Sequence, residues 1–271
     1  PWAMTFFRML GAASLFWIAS LFVKRERVPL KDLGLIFLAS MTGIVLNQGC
    51  FMIGLSYTSP IDSSVIATLV PILTMMFAAV FLKEPITLKK TLGVLIGASG
   101  ALLLVYASYN GASRSGSSFI GNLLVILSAT SYSIYLGAFR KLIMRYSPIT
   151  LMKWMFLFAA IVCGPVCWND VASIDYASLD WDIYLRILYV VAFSTFIAYL
   201  LIPIGQKLLR PTIVSMYNYV QPLVASVVAV ILGLGTFGLV KGSAAALIFL
   251  GVYIVTTSKS RSQMDAEKLR R

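Results

Sequence analysis

The sequence predicts an all-α polytopic membrane protein, an inverted repeat of 5+5 transmembrane helices with nine present and the first missing. Three observations lead there. Hydrophobic residues make up 59% of the 271 residues and charged residues 12%, with a mean hydropathy of +0.90, whereas a soluble domain is about 25% charged. The apolar residues fall into nine long stretches. Two of those stretches carry prolines at matching places: Pro60 and Pro71 recur as Pro211 and Pro222, each 151 positions on.

The stretches are Met4–Val23, Leu33–Ser56, Ile61–Leu82, Thr91–Tyr106, Ile120–Phe139, Ile149–Cys167, Ile183–Gln206, Thr212–Leu232 and Gly242–Thr257. A hydrocarbon layer about 30 Å thick needs about 20 apolar residues per helix. None of the runs alternates apolar with polar residues as a membrane barrel strand does, so each is expected to be a helix that closes its own hydrogen bonds. The loops orient them. Lys24, Arg25, Arg27 and Lys31 follow the first stretch, and Lys83, Lys89 and Lys90 the third. Arg140, Lys141 and Arg145 follow the fifth, Lys207 and Arg210 the seventh, and Lys259, Arg261, Lys268, Arg270 and Arg271 the ninth, so 17 of the 22 basic residues share one side. The opposite loops hold Arg114, Asp170, Asp175, Asp180 and Asp182, beside an aromatic belt of Trp168, Trp181 and Tyr184. The basic side is cytoplasmic by the positive-inside rule, which places the C-terminus inside. The net charge of +12 is therefore topological and implies no nucleic-acid partner. Cys50, Cys163 and Cys167, in a chain without histidine, form neither a disulfide framework nor a metal site.

The shift of 151 residues superposes the third and fourth stretches on the eighth and ninth without a gap. It also matches Ser64 with Ser215, Ala78 with Ala229, Lys90 with Lys241 and Gly100 with Gly251. The fifth stretch is left without a counterpart, which predicts a further helix before Pro1 and halves of five in opposite orientations. Residues 1–108 then form the first repeat and 119–258 the second. They are joined by the Gly/Ser-rich linker 109–118, "YNGASRSGSS", with 259–271 as a cytoplasmic tail.

The residues themselves resemble a known family. "YTSPIDSSVIATLVPILTMMFAAVFLKEPITLKKTLGVLIGASGALLLVY" is similar to the fourth and fifth helices of EamA-type members of the drug/metabolite transporter superfamily. The marks are small residues after a turn, a mid-helix proline, a glutamate just past the helix end and a Gly-rich helix after it. "VLNQGCFMIGLSYTSP" and "PWAMTFFRMLGAASLF" resemble the preceding helices. The resemblance implies a transporter of amino acids, other metabolites, drugs or nucleotide sugars. It also implies that the Gly93/Gly97/Gly100 and Gly242/Ala246/Gly251 helices serve packing. The chain departs from the family where Gly235 stands opposite Glu84. Glu84 is expected to pair with Lys83 or Lys89 or to cap its helix.

Candidate functional residues follow from cost. A proline inside a helix removes a hydrogen bond and kinks it, and inverted-repeat transporters place interrupted helices at corresponding positions around a midplane site. Pro71 and Pro222 are accordingly the expected gating kinks. Asn47, Gln48, Ser131, Tyr132, Tyr217, Asn218 and Gln221 are the expected substrate-binding residues. Such uncharged groups at membrane depth either hold helices together or meet a polar solute. Arg8 lies a turn inside its stretch, as does Lys153; snorkelling to the interface is the expected conformation of Arg8, a substrate carboxylate the alternative. No acidic residue is expected in the membrane interior, so the coupling ion is open, a proton among the candidates. No catalytic or nucleotide-binding motif suggests an enzyme or a cofactor. The expected function is a secondary transporter or facilitator of a neutral or zwitterionic metabolite, such as an amino acid. It is expected to work by alternating access as an exporter in a bacterial plasma membrane, its partners being solute and lipid, its oligomeric state open. A non-transporting scaffold or sensor is the alternative.

The charge distribution makes a direct prediction. In a background without the three cysteines, single cysteines at Ser115 and Ser178 label from outside intact cells, and one at Ser260 labels only after permeabilisation. Labelling of Ser260 from outside overturns the orientation.

Overall fold

A chain in hydrocarbon satisfies its amides within its own helix or in a closed barrel, and the apolar stretches take the first route. The structure, a computed structural model, describes residues 2–58, 60–107, 118–174, 176, 180–231 and 239–258. The linker 109–117, Asp175, Gly235, the tail 259–271 and the labelling positions Ser115, Ser178 and Ser260 lie outside the described residues.

In chain order the helices are α1 (Trp2–Ala19), α2 (Leu30–Ser40), α3 (Leu46–Tyr57), α4 (Pro60–Ala67), α5 (Val70–Leu82), α6 (Leu88–Ala107), α7 (Phe119–Ala138) and α8 (Arg140–Arg145). They continue as α9 (Pro148–Ala172), α10 (Trp181–Tyr189), α11 (Ala198–Leu208), α12 (Pro211–Met216), α13 (Val220–Ile231) and α14 (Leu239–Thr256). A π-helical stretch, Met41–Val45, joins α2 to α3, and another, Val190–Ile197, joins α10 to α11. Among the described residues there is no strand, and six continuous helical spans are long and apolar enough to cross a membrane. The protein is an all-α polytopic membrane protein.

The spacing of 151 extends well beyond the prolines. Shifted by that amount, the first residues of α2, α4 and α6 fall on the first residues of α10, α12 and α14, and the end of α3 falls on the end of α11. The first π stretch falls inside the second. Element boundaries in the two halves thus coincide where side chains have diverged.

The helices gather into two compact units. One holds Pro1–Gly49 with Phe139–Leu208, the other Cys50–Ala138 with Leu209–Arg271. Each draws on both halves of the sequence. In the first unit α1 lies antiparallel to α9: Phe16 meets Phe156 at 5.5 Å between ring centroids, and Trp17 meets Trp154 at 5.3 Å. Polar contacts fix the end of this unit at which α2 and α9 begin. Asp32 accepts from Arg145 at 2.6 Å and from Tyr146. Glu26 accepts the Ser147 amide with both carboxylate oxygens, at 3.1 and 3.0 Å, where a negative charge complements the start of α9. Burial opposes that charge, but hydrogen bonds from Thr150 and Ser147 outweigh it and hold the Glu26 carboxyl below its usual range.

In the second unit α6 lies antiparallel to α14 at very close range. A Cβ on Gly93 would come 2.9 Å from the Gly251 carbonyl, and one on Gly100 2.8 Å from that of Ala244. Ala244 and Gly251 are the 151-shifted counterparts of Gly93 and Gly100. The contact is therefore reciprocal, as across a two-fold axis, and the antiparallel course of the pair is the inversion expected from the repeat. Nearby, Glu84 pairs with Lys90 at 2.8 Å, and the Lys90 side chain is 2% exposed. Sequence had pointed to Lys83 or Lys89. Lys83 ends α5 in the left-handed conformation, φ 54°.

Gly251→Ala is expected to destabilise the protein by about 1–3 kcal/mol, because its methyl would overlap the backbone of α6. Gly242→Ala, with nothing within 4 Å, is expected to be neutral or mildly stabilising. Thermal unfolding in detergent checks both, and equal melting temperatures for wild type and Gly251→Ala would refute the close contact.

Candidate functional site

The prolines mark real interruptions of the helices. Between α4 and α5 the chain tightens, with the Thr68 and Leu69 amides reaching back only to Val65 and Ile66. Pro71 sits in the first turn of α5, a position suited to its fixed φ and missing amide. At the equivalent place the 3₁₀ turn Tyr217–Tyr219 separates α12 from α13, with Pro222 in the first turn of α13. A neighbouring side chain satisfies a carbonyl that the first break leaves over: Tyr219 Oη donates to Thr68 O at 2.8 Å.

Tyr219 is the 151-shifted counterpart of Thr68, and the first unit repeats this arrangement. Gln48 Nε2 donates to Tyr199 Oη, again a residue and its own counterpart. A residue that touches its own equivalent lies on the pseudo-two-fold axis.

The predicted site residues divide between the units. Gln48 and Asn47 belong to the first, Gln48 buried and Asn47 half-buried. Ser131, Tyr132, Tyr217, Asn218 and Gln221 belong to the second. Ser131 is buried, and the Tyr132 ring stacks on Tyr135 at 6.2 Å. Tyr217 is 53% exposed, Gln221 is exposed and Asn218 half-buried. They surround the 3₁₀ turn on the side away from Tyr219, which is 1% exposed. Thr74 and Thr212, both fully buried, and the amide of Gln206 have side-chain polar atoms without a hydrogen-bond partner in the structure.

Sequence reasoning passed over Tyr199, Tyr219 and Thr195. The first two carried a usable signal, since the repeat offset pairs them with Gln48 and Thr68. Arg8 also differs from the expected snorkelling conformation: Nε donates to Thr195 Oγ1 at 3.0 Å, and Thr195 in turn donates to Val190 O at 3.1 Å. A cation at the centre of a spanning helix costs about 2.5–3.5 kcal/mol, so a single hydroxyl is modest compensation. Lys153, by contrast, lies over the Trp17 ring at 4.8 Å, a favourable cation–π contact.

Tyr219→Phe leaves the Thr68 carbonyl unpaired beside the helix break. It is expected to lower stability by about 0.6–2 kcal/mol, the range for a hydrogen bond between membrane helices. Unfolding in detergent reads the loss; an unchanged variant would mean that the carbonyl finds another donor.

Known proteins agree with this architecture. The EamA-like transporter family model matches residues 1–106 and 119–257. An uncharacterized transporter of Archaeoglobus fulgidus is 26% identical over 96% of this chain and 90% of its own. The uncharacterized transporter YetK of Bacillus subtilis is 22% identical over 85% and 70%, and a WAT1-related protein of Arabidopsis thaliana 26% over 96% and 80%. One crystal structure shares the fold with a TM-score of 0.78 at 19% identity, covering 94% of this chain and 87% of that one. Interrupted helices set in an apolar, internally repeated chain are thus joined to a family match along almost its whole length, and the chain belongs to the EamA-like transporter family.

Proposed function

We propose that this transporter is a secondary carrier or facilitator that exports a small neutral or zwitterionic metabolite by alternating access, an amino acid being the leading class. The observation that carries this reading is the recurrence of helix interruptions at equivalent places of both halves, the two π stretches and the two breaks before Pro71 and Pro222. Such elements are where a repeat can change conformation while its packed helices stay intact. The halves 1–108 and 119–258 act as the inverted pair, with Pro71 and Pro222 as gating kinks. The plasma membrane with the C-terminus inside is the location that best fits the basic loops.

Solute contacts are proposed in each unit: Asn47 and Gln48 in the first; Ser131, Tyr132, Tyr217, Asn218 and Gln221 in the second. Tyr217 offers an aromatic face beside the 3₁₀ turn, and Asn218 and Gln221 offer directed hydrogen bonds.

Transport into proteoliposomes against lipid-only controls tests the carrier reading; no solute moved above control refutes it. Within the same assay Asn218→Ala or Gln221→Ala should weaken apparent affinity about 5- to 150-fold, the equivalent of losing a buried hydrogen bond of about 1–3 kcal/mol. Ser99→Ala should change little, because the Ser99 hydroxyl is returned to its own helix at Ile96 O. Wild-type affinity in both amide variants, at normal membrane abundance, would make these residues helix contacts instead.

A further inference from the structure

We infer that Arg8 in the first unit is the receptor for a carboxylate group on the transported solute. This inference rests on the carrier reading above and gives its substrate a chemical class.

The position of Arg8 comes first. Gly11 lies against Val191, where a Cβ would meet Val191 Cγ1 at 2.6 Å, and Phe16 meets Phe196 at 4.5 Å. The two pairs have the same separation along the chain, so α1 and the π stretch Val190–Ile197 run in the same direction. On that register Arg8 is level with Leu188. Its partner Thr195 lies one to two turns deeper, in the middle of the Trp181–Leu208 span. Arg8 thus reaches toward the membrane centre and away from the nearer surface. Thr195 is one turn before Tyr199 on the same helical run.

The valence of the group comes next. A guanidinium has five N–H donors in a planar fork and stays charged at every physiological pH. Arg8 spends one of them, Nε, on Thr195. The Thr195 hydroxyl is then committed in both directions, since it donates to Val190 O. Among the described residues the Nη donors have no partner, and Arg8 is only half-buried. Among the described residues no carboxylate pairs with it: the ion pairs there are Lys90–Glu84, Arg145–Asp32 and Arg186–Asp182. A fork with its paired donors open matches a carboxylate bidentately. Gln48 donates to Tyr199 Oη, which leaves the phenol's own proton as a further donor nearby.

The repeat supplies the control. The counterparts of Arg8 and Thr195 under the shift of 151 are Ala159 and Ile44, both fully buried. The same place in the other half holds buried apolar residues. The fold therefore does not require the charge, and a cation kept in the membrane interior without a protein counter-ion is a mark of function.

The test uses proteoliposomes with the full-length protein. They are loaded with the twenty L-amino acids, acetate, succinate and the matching carboxamides, and efflux is followed by mass spectrometry. Wild type is expected to release one or more carboxylates faster than protein-free vesicles and none of the carboxamides. Arg8→Gln should weaken apparent affinity for the released acid at least tenfold, with Arg8→Lys retaining part of it. Thr195→Val, which keeps the charge but removes its anchor, should weaken affinity about threefold and serves if Arg8→Gln fails to elute as a monodisperse protein. Release of carboxamides, or acid release with wild-type affinity in Arg8→Gln and Thr195→Val, overturns the inference and leaves the carrier standing. Release of nothing above protein-free vesicles overturns both.

Discussion

The constraint on which this structure depends is that a peptide group in hydrocarbon must find its hydrogen-bond partner inside the protein. It makes every apolar stretch a helix, and it makes any departure from helix expensive. The departures here are consequently few and paired. Where α4 gives way to α5, the carbonyl of Thr68 is taken by a tyrosine hydroxyl. That donor reaches in from a helix distant in sequence, so a local break is stable only because its unit has formed. The interruptions of α2–α3 and α10–α11 take a gentler form, a π stretch that loosens the helix without ending it. Movement in such a protein is cheapest at these places, because the hydrogen bonds that change there are already made to neighbours.

Much of this was legible before any coordinates. Length and polarity of the runs gave the helices, and the offset of the prolines gave the repeat, which the boundaries of α2, α4 and α6 then met to the residue. Local signals failed where tertiary contact decides. Glu84 has several lysines within a few positions, and sequence distance alone did not single out buried Lys90. Likewise, sequence passed over Tyr219, which is buried and bonded, two positions on from exposed Tyr217. Both are tyrosines in the same short turn, and only their angular position on the 3₁₀ turn separates them. The linkage of Arg8 to Thr195 joins residues 187 positions apart, and no pattern in either segment announces it.

Two kinds of pressure have acted on the two halves. Backbone positions kept their correspondence, including close contacts such as Gly93 with Gly251 and Gly100 with Ala244, because a methyl group added there would collide with backbone. Side chains facing polar work diverged. Arg8 and Thr195 have Ala159 and Ile44 as counterparts, and Glu84 has Gly235. A carrier built from two like halves can afford one polar constellation, since a second cation at the equivalent place would add another unmet charge to the membrane interior.

The same logic reaches the axis itself. A single hydrogen bond across a two-fold axis is never symmetric, because one partner donates and the other accepts. Two identical apolar residues at Gln48 and its counterpart would make no bond at all. Gln48 with Tyr199, and Thr68 with Tyr219, resolve the conflict by setting unlike groups opposite each other. In the second pair the acceptor is a backbone carbonyl freed by the helix break, so that tyrosine is both the element that breaks the symmetry and the one that makes the interruption tolerable. Unlike groups set opposite each other are thus one way to build polar contacts on the axis of a duplicated chain.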